Sequence, residues 1–136
     1  MDAIATEPKK LLAISHVSDP DEMIALWPKI KSVDTIEGSP AALLAKCLLG
    51  KCVMLKGLVG DSLEAILIYE YDSSGNMIVQ LLNAPRHMLA FEKEFYNLCK
   101  RLGVKQFFFA SKLDGRLFSR LLGVHKLHSW FSVEVS

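Results

Sequence analysis

Between His87 and Leu102, apolar residues recur at three- and four-residue spacing. Met88, Phe91, Phe95, Leu98, Cys99 and Leu102 form one stripe, while Glu92, Glu94 and Lys100 fall outside it. That period predicts an amphipathic helix over His87–Leu102, stopped by Gly103. Around it the pattern changes to alternation or to short continuous apolar runs. These predict strands over Glu64–Asp72, Met77–Leu82 and Val104–Ala110, the last apolar enough to be buried on both faces. Ser73-Ser74-Gly75-Asn76 reads as a hairpin turn, and Asn83-Ala84-Pro85-Arg86 as the loop before the helix.

Upstream, Leu11–Val17 and Cys52–Val59 read as strands, with Gly60-Asp61-Ser62 turning the second into the next. Asp19-Pro20-Asp21-Glu22 is a helix start. Aspartate caps, proline suits the first helical position, and early acids meet the positive end of the helix dipole. Met23, Leu26, Trp27 and Ile30 share a face of that helix, and Pro28 is expected to kink it or end it near Trp27. Ser39-Pro40 repeats the start signal for a short helix over Ala41–Leu49, with Gly50 as its stop. Downstream, Asp114–Leu122 reads as a helix, and the alternation over Leu127–Val135 reads as one final strand. The fold class is therefore α+β, a mixed sheet of six to seven strands flanked by about four helices.

Composition narrows the function classes. The chain has 136 residues, 51% hydrophobic and 23% charged, which suits one globular domain. Residues 1–10 lack periodicity and read as a flexible arm, leaving 11–136 as the single domain. Sixteen Lys and Arg against fifteen Asp and Glu give a net charge of +1, with no basic stripe. No nucleic-acid partner is expected. The apolar runs are too short to span a membrane, and the N-terminus lacks the order of a signal peptide, so no membrane partner and a cytoplasmic location are expected. Cys47, Cys52 and Cys99 are an odd number, which favours free buried thiols in a reducing compartment.

Candidate chemistry is sparse. Glu64 and Glu70 lie six apart on one predicted strand, a spacing that puts both on one face; either is a candidate general base, and the alternative is a solvated sheet face. Cys47 and Cys52 make a C-x4-C pair, but His125 and His128 sit on opposite parities and do not complete a four-ligand set, so no metal is expected. Buried structural thiol is the default for these cysteines. Trp130 falls on the more polar parity of the last strand and is the candidate partner contact, with a core position as the alternative.

Three stretches carry a family resemblance. The opening ISHVSDPDEMIALWP, the order strand, NAPR loop and helix in the middle, and the closing LFSRLLGVHKL resemble the GNAT (GCN5-related N-acetyltransferase-like) superfamily. The resemblance implies a mostly antiparallel twisted sheet in which two strands splay apart to make an acyl-CoA cleft. It also implies that, where an acyl-CoA binds, Gln80 and Leu82 run beside the pantetheine, and Asn83, Arg86 and His87 lie at the pyrophosphate. The chain departs from that pattern in two places. The loop Asn83-Ala84-Pro85-Arg86-His87 has no glycine, and Pro85 removes a backbone donor. Ser119 stands where many members carry an acid-donating tyrosine, and serine is a poor general acid.

These departures make the chain look like a degenerate member. In size and in the closing FSRLLG segment it resembles small GNAT-like proteins encoded among bacteriophage virion and assembly genes. The implied function is a non-catalytic structural or interaction protein without a cofactor, acting in a homo- or hetero-oligomeric assembly, and within a virion if phage-encoded. The alternative is an N-acyltransferase that uses acetyl-CoA or another acyl-CoA on an amine. On the first reading the loop should leave no pyrophosphate-sized pocket between residues 83 and 89.

Overall fold

The computed structural model describes residues 11–31, 39–84, 86–110, 124–127 and 130–135. Strands are β1 Leu12–Val17, β2 Val53–Val59, β3 Ser62–Tyr71, β4 Met77–Asn83, β5 Gln106–Ala110, β6 Val124–Leu127 and β7 Trp130–Glu134; helices are α1 Pro20–Ala25, α2 Trp27–Ile30, α3 Pro40–Leu48 and α4 Met88–Leu102. They build one seven-stranded sheet in the order β1-β2-β3-β4-β5-β7-β6. Every neighbouring pair is antiparallel except β4 and β5, which are parallel. The expected mixed, mostly antiparallel α+β fold is what forms.

Local chemistry explains the boundaries. Asp19 caps α1 by accepting from the Asp21 N–H at 3.1 Å, and Ser39 caps α3 by accepting from the Ala42 N–H at 3.2 Å. Pro28 does break the first helix. The chain leaves α1 at Leu26 and restarts as α2 with the proline in its first turn, where a missing N–H costs nothing. In the β3–β4 hairpin, the Asp72 carboxylate accepts from the N–H groups of Ser74 and Asn76 at 2.8 and 2.9 Å. At the end of α4, Gly103 takes φ 75°, and the N–H of Val104 reaches back to the Cys99 carbonyl at 3.0 Å.

The sheet alternates its side chains between two cores. Ala65, Leu67 and Tyr69 of β3 face α4, with Leu55, Val79, Phe91, Phe95, Cys99, Phe107 and Phe109. Ile66 and Ile68 face α1, α2 and α3, with Met23, Ile30, Leu43, Cys47, Met54 and Leu81. The first core is aromatic: Phe95 meets Phe107 edge-on at 5.1 Å and stacks against Phe91 at 6.0 Å. Helix α4 lies close on β2 at Gly57. A Cβ there would sit 2.9 Å from the Ala65 Cβ, 3.2 Å from Leu12 and 3.6 Å from Phe91, so only glycine fits.

Three expectations need correction. Leu127–Val135 is not one strand: Leu127 pairs with Trp130, so the chain reverses and makes β6 and β7. Glu92 is buried rather than on the solvent side of α4. It lies three residues before Phe95 and seven before Cys99, on the flank of the same stripe. Leu102, assigned to the stripe, is 45% exposed in the last turn. The predicted helix Asp114–Leu122, including Ser119, lies outside the described residues, as does residues 1–10.

Candidate functional site

Strands β4 and β5 are joined by only three register pairs: Met77 with Phe107, Ile78 with Phe108 and Val79 with Phe109. Beyond them β4 continues as Gln80–Asn83, where Leu81, Leu82 and Asn83 pair with Ile68, Leu67 and Ile66 of β3 and, among the described residues, with no other strand. On the other side, Ala110 of β5 pairs with Trp130 of β7. Among the described residues, the two central strands therefore stop pairing after Val79.

A β-bulge sits at the parting point. Tyr69 pairs with Val79 and Ile68 with Leu81, so Gln80 is the extra residue. A bulge bends its strand and re-aims a side chain out of the simple alternation. Here it brings Gln80 against Glu70, whose own partner across the ladder is Ile78. The Gln80 side-chain N–H donates to Glu70 Oε1 at 2.8 Å, and the Cys52 thiol approaches Glu70 Oε2 at 3.8 Å. Gln80 is 4% exposed, and its carbonyl Oε1 finds no hydrogen-bond partner among the described residues. Glu70 has no ion pair among them either. Burial, and secondarily the Glu70 charge, push the Cys52 thiol up to about 11; burial, then Cys52, pushes Cys47 up to about 12. Neither is an activated nucleophile.

Glu64 has other company. A second bulge, between Gly57 and Leu58, leaves Glu64 as the extra residue of β3. Its carboxylate accepts from the Ser62 hydroxyl at 3.1 Å and lies 3.9 Å from His87 Nε2, at the start of α4. The spacing of six thus does not bring the two glutamates into one site: a bulge interrupts the alternation on which that inference rests. Glu70 belongs to the parting point, Glu64 to the loop end.

At that loop end Arg86 is exposed, and His87 occupies the cap position of α4 without a side-chain cap bond. A depression of about 270 Å³, lined by Lys29, Ser62, Glu64, Asn83 and Arg86 among others, opens on the β3 side of the loop. The expectation that Pro85 and Met88 fill the loop between residues 83 and 89 rests on side chains outside the described residues; this depression lies along β3 instead. Leu82 pairs with Leu67 of β3, half-buried and packed against the α4-side core. Pro85 and the side chains of Met88 and Trp130 lie outside the described residues; the Trp130 backbone pairs with Ala110 and Leu127. Among the described residues no three His, Cys, Asp or Glu side chains could hold a metal ion. No helix among them is long and apolar enough to cross a membrane.

The parting of parallel central strands, with a helix starting just past the longer one, decides the comparison with solved structures. The chain has the GNAT fold. It superposes with a TM-score of 0.66 on the ribosomal-protein-S18-alanine N-acetyltransferase from Escherichia coli, at 10% identity, covering 93% of this chain and 95% of that one. For a protein described as an acetyltransferase of the GNAT family from Desulfovibrio desulfuricans, the TM-score is 0.60 at 11% identity, covering 92% and 99%. The PaiA N-acetyltransferase from Thermoplasma acidophilum, solved in complex with coenzyme A, gives 0.59 at 11% identity, covering 90% and 98%. No protein-family model matches the sequence, and no curated protein does. At these identities the likeness establishes the GNAT fold alone.

The glutamine at the parting point was named from the sequence as a residue beside the cofactor. Its union with Glu70 was not, because it depends on a bulge that leaves no mark in the alternation.

Proposed function

We propose that this chain is a GNAT-fold N-acyltransferase that binds an acyl-CoA in the cleft between β4 and β5. The observation that carries this reading is the end of β4–β5 pairing at Val79 and Phe109. Among the described residues it leaves the Gln80–Asn83 edge of β4 without a strand partner on one side, available to pair with an amide-bearing ligand as an open strand edge does. Gln80 and Leu82 would lie along that ligand. Asn83, Arg86 and His87 would meet its phosphates at the start of α4, where N–H groups and the helix dipole favour an anion. The coenzyme supplies an acyl group activated as a thioester. In a glycine-free loop the phosphates would depend more on the Arg86 and His87 side chains and less on backbone donors. Solved relatives of the fold with coenzyme A bound support the reading.

Calorimetry with coenzyme A tests it. Micromolar binding that weakens on Arg86→Ala is expected; no heat at millimolar coenzyme would overturn the proposal.

A second reading has its own support. The loop lacks glycine, and an apolar groove of about 620 Å³, lined by Ile24, Trp27, Leu44 and Leu48 among others, runs between α1–α2 and α3. A non-catalytic module that docks on another protein in an assembly would keep such a surface and dispense with the loop. Light scattering of the chain with and without coenzyme separates the two. An assembly forming while coenzyme fails to bind would favour the second.

A further inference from the structure

The groove between α1–α2 and α3 is lined by small residues, Ala25, Ala41 and Ala45, beside large ones, Ile24, Trp27 and Leu48. Among the described residues no charged or polar side chain lines it. Ile24 is 52% exposed, and Leu48 and Leu49, the latter one turn on from Ala45, are exposed as well. An apolar surface of this kind marks a contact with something else. The charges of the neighbouring helices select what that is. Asp19 is engaged as the cap of α1. Glu22 turns to Lys56 of β2 at 2.6 Å, and Lys29 donates to the Leu63 carbonyl of β3 at 3.0 Å, so both are committed to the sheet. Asp21 and Lys31 remain, both exposed and neither in an ion pair among the described residues. Asp21 lies one turn before Ile24 and Ala25, and Lys31 one turn after Trp27 and Pro28. The groove therefore has an acid at one end and a base at the other. A wholly acidic or wholly basic partner, or an anionic membrane, satisfies one end only. A second copy turned antiparallel satisfies both, because a two-fold axis that sets Asp21 against the partner's Lys31 makes the same contact twice.

We infer that this groove is a two-fold interface between two copies of the chain, with α1–α2 of one copy antiparallel to α1–α2 of the other. Large side chains beside small ones give each copy both the projection and the space that a self-complementary contact needs, Ile24 of one copy entering beside the alanines of its partner. Asp21 and Lys31 fix the direction of the pairing. The inference deepens the second reading above by naming the partner as this chain itself. It does not depend on coenzyme binding, since the groove shares no lining residue with the depression at Asn83 and Arg86.

Analytical ultracentrifugation of the full chain, from micromolar to millimolar concentration, tests it. A reversible monomer–dimer equilibrium without larger species is expected. Ala45→Glu, at an exposed helical position, should abolish the dimer while circular dichroism and the urea midpoint stay near those of the unaltered chain. Asp21→Lys and Lys31→Asp should each weaken self-association about tenfold or more, because each sets like charges together at two symmetric contacts. Mixed in equal amounts, these two variants should recover a heterodimer, since every end contact then joins opposite charges. Mere stickiness of an apolar surface would not show that recovery. A chain that stays monomeric at millimolar concentration would overturn the inference. So would a dimer that Ala45→Glu leaves intact, or single-charge variants that associate alone as well as they do mixed. A monomer that floats with vesicles of anionic lipid would overturn it too and give the groove to a membrane surface. Calorimetry with coenzyme A on the same samples keeps the claims apart. Coenzyme bound by a strict monomer sinks this inference and leaves the transferase reading standing; a charge-dependent dimer that binds no coenzyme sustains the interface and sinks the transferase reading.

Discussion

The two faces of the sheet are built from different materials. The α4 face is one 15-residue helix laid on a layer of aromatic rings, with Phe91, Phe95, Phe107 and Phe109 all inaccessible to solvent. The opposite face is covered by three short helices of 6, 4 and 9 residues, over Met, Ile, Leu and Cys side chains. Glu70, Gln80 and Cys52 meet at its edge, and the larger apolar groove lies among its helices. The faces thus differ in the material of their cores, aromatic rings under α4 and aliphatic and sulfur side chains under the short helices.

That difference can be broken most forcefully under α4. Phe95→Ala removes a ring that touches both Phe91 and Phe107 and should cost about 3–5 kcal/mol in urea unfolding. If Leu43→Ala on the other face costs as much, the asymmetry is not energetic. Gly57→Ala comes next. Its methyl would press on Ala65 and Leu12 beneath α4 and should cost about 1–3 kcal/mol, seen as a lower urea midpoint with an unchanged slope. Ser39→Ala, which uncaps a short helix of the other face, should cost about 1 kcal/mol in the same assay.

The smallest effect at neutral pH grows with alkali. Burial pushes Cys99 up to about 12 on the α4 face, as it pushes Cys47 to about 12 and Cys52 to about 11 on the other. A thiol whose pKa is raised on folding keeps its proton in the folded chain after the unfolded chain has lost it. Stability from these groups is therefore whole below pH 9 and falls as pH rises from 9 towards 11–12. Urea midpoints measured across that window should decline, and Cys99→Ala should flatten the decline. A midpoint that stays constant through pH 11 would contradict the burial of all three thiols.

Much of this was legible in the sequence, for local reasons. The α4 stripe, the two proline-led helix starts, the Asp72–Asn76 turn and the break near Pro28 all follow from residues within a few positions of one another. What escaped depends on partners distant in the chain. Nothing in EAILIYEYD announces that Glu64 is a bulge residue, because the shift is defined against Gly57 and Leu58. Gln80 likewise reads as one apolar strand's lone polar residue until β3 sets its register. The β6–β7 reversal leaves no mark in the alternation over Leu127–Val135 and shows only in the pairing of Leu127 with Trp130. Glu92 was placed by its charge when its spacing put it on the buried flank.

Among the described residues three register pairs join the β1–β4 meander to the β5–β7 unit, and that join also bears on the order of assembly. The meander closes through short turns and can form from neighbouring segments as soon as they exist. The parallel rungs cannot form until the whole of α4 has crossed over, so their loop-closure entropy falls due late. Folding intermediates, if populated, should therefore look like a completed meander waiting for its second half. In the finished molecule the two halves are held together less by these rungs than by the shared core, in which Phe107, Phe109 and Val133 pack with Leu55, Leu67 and Val79.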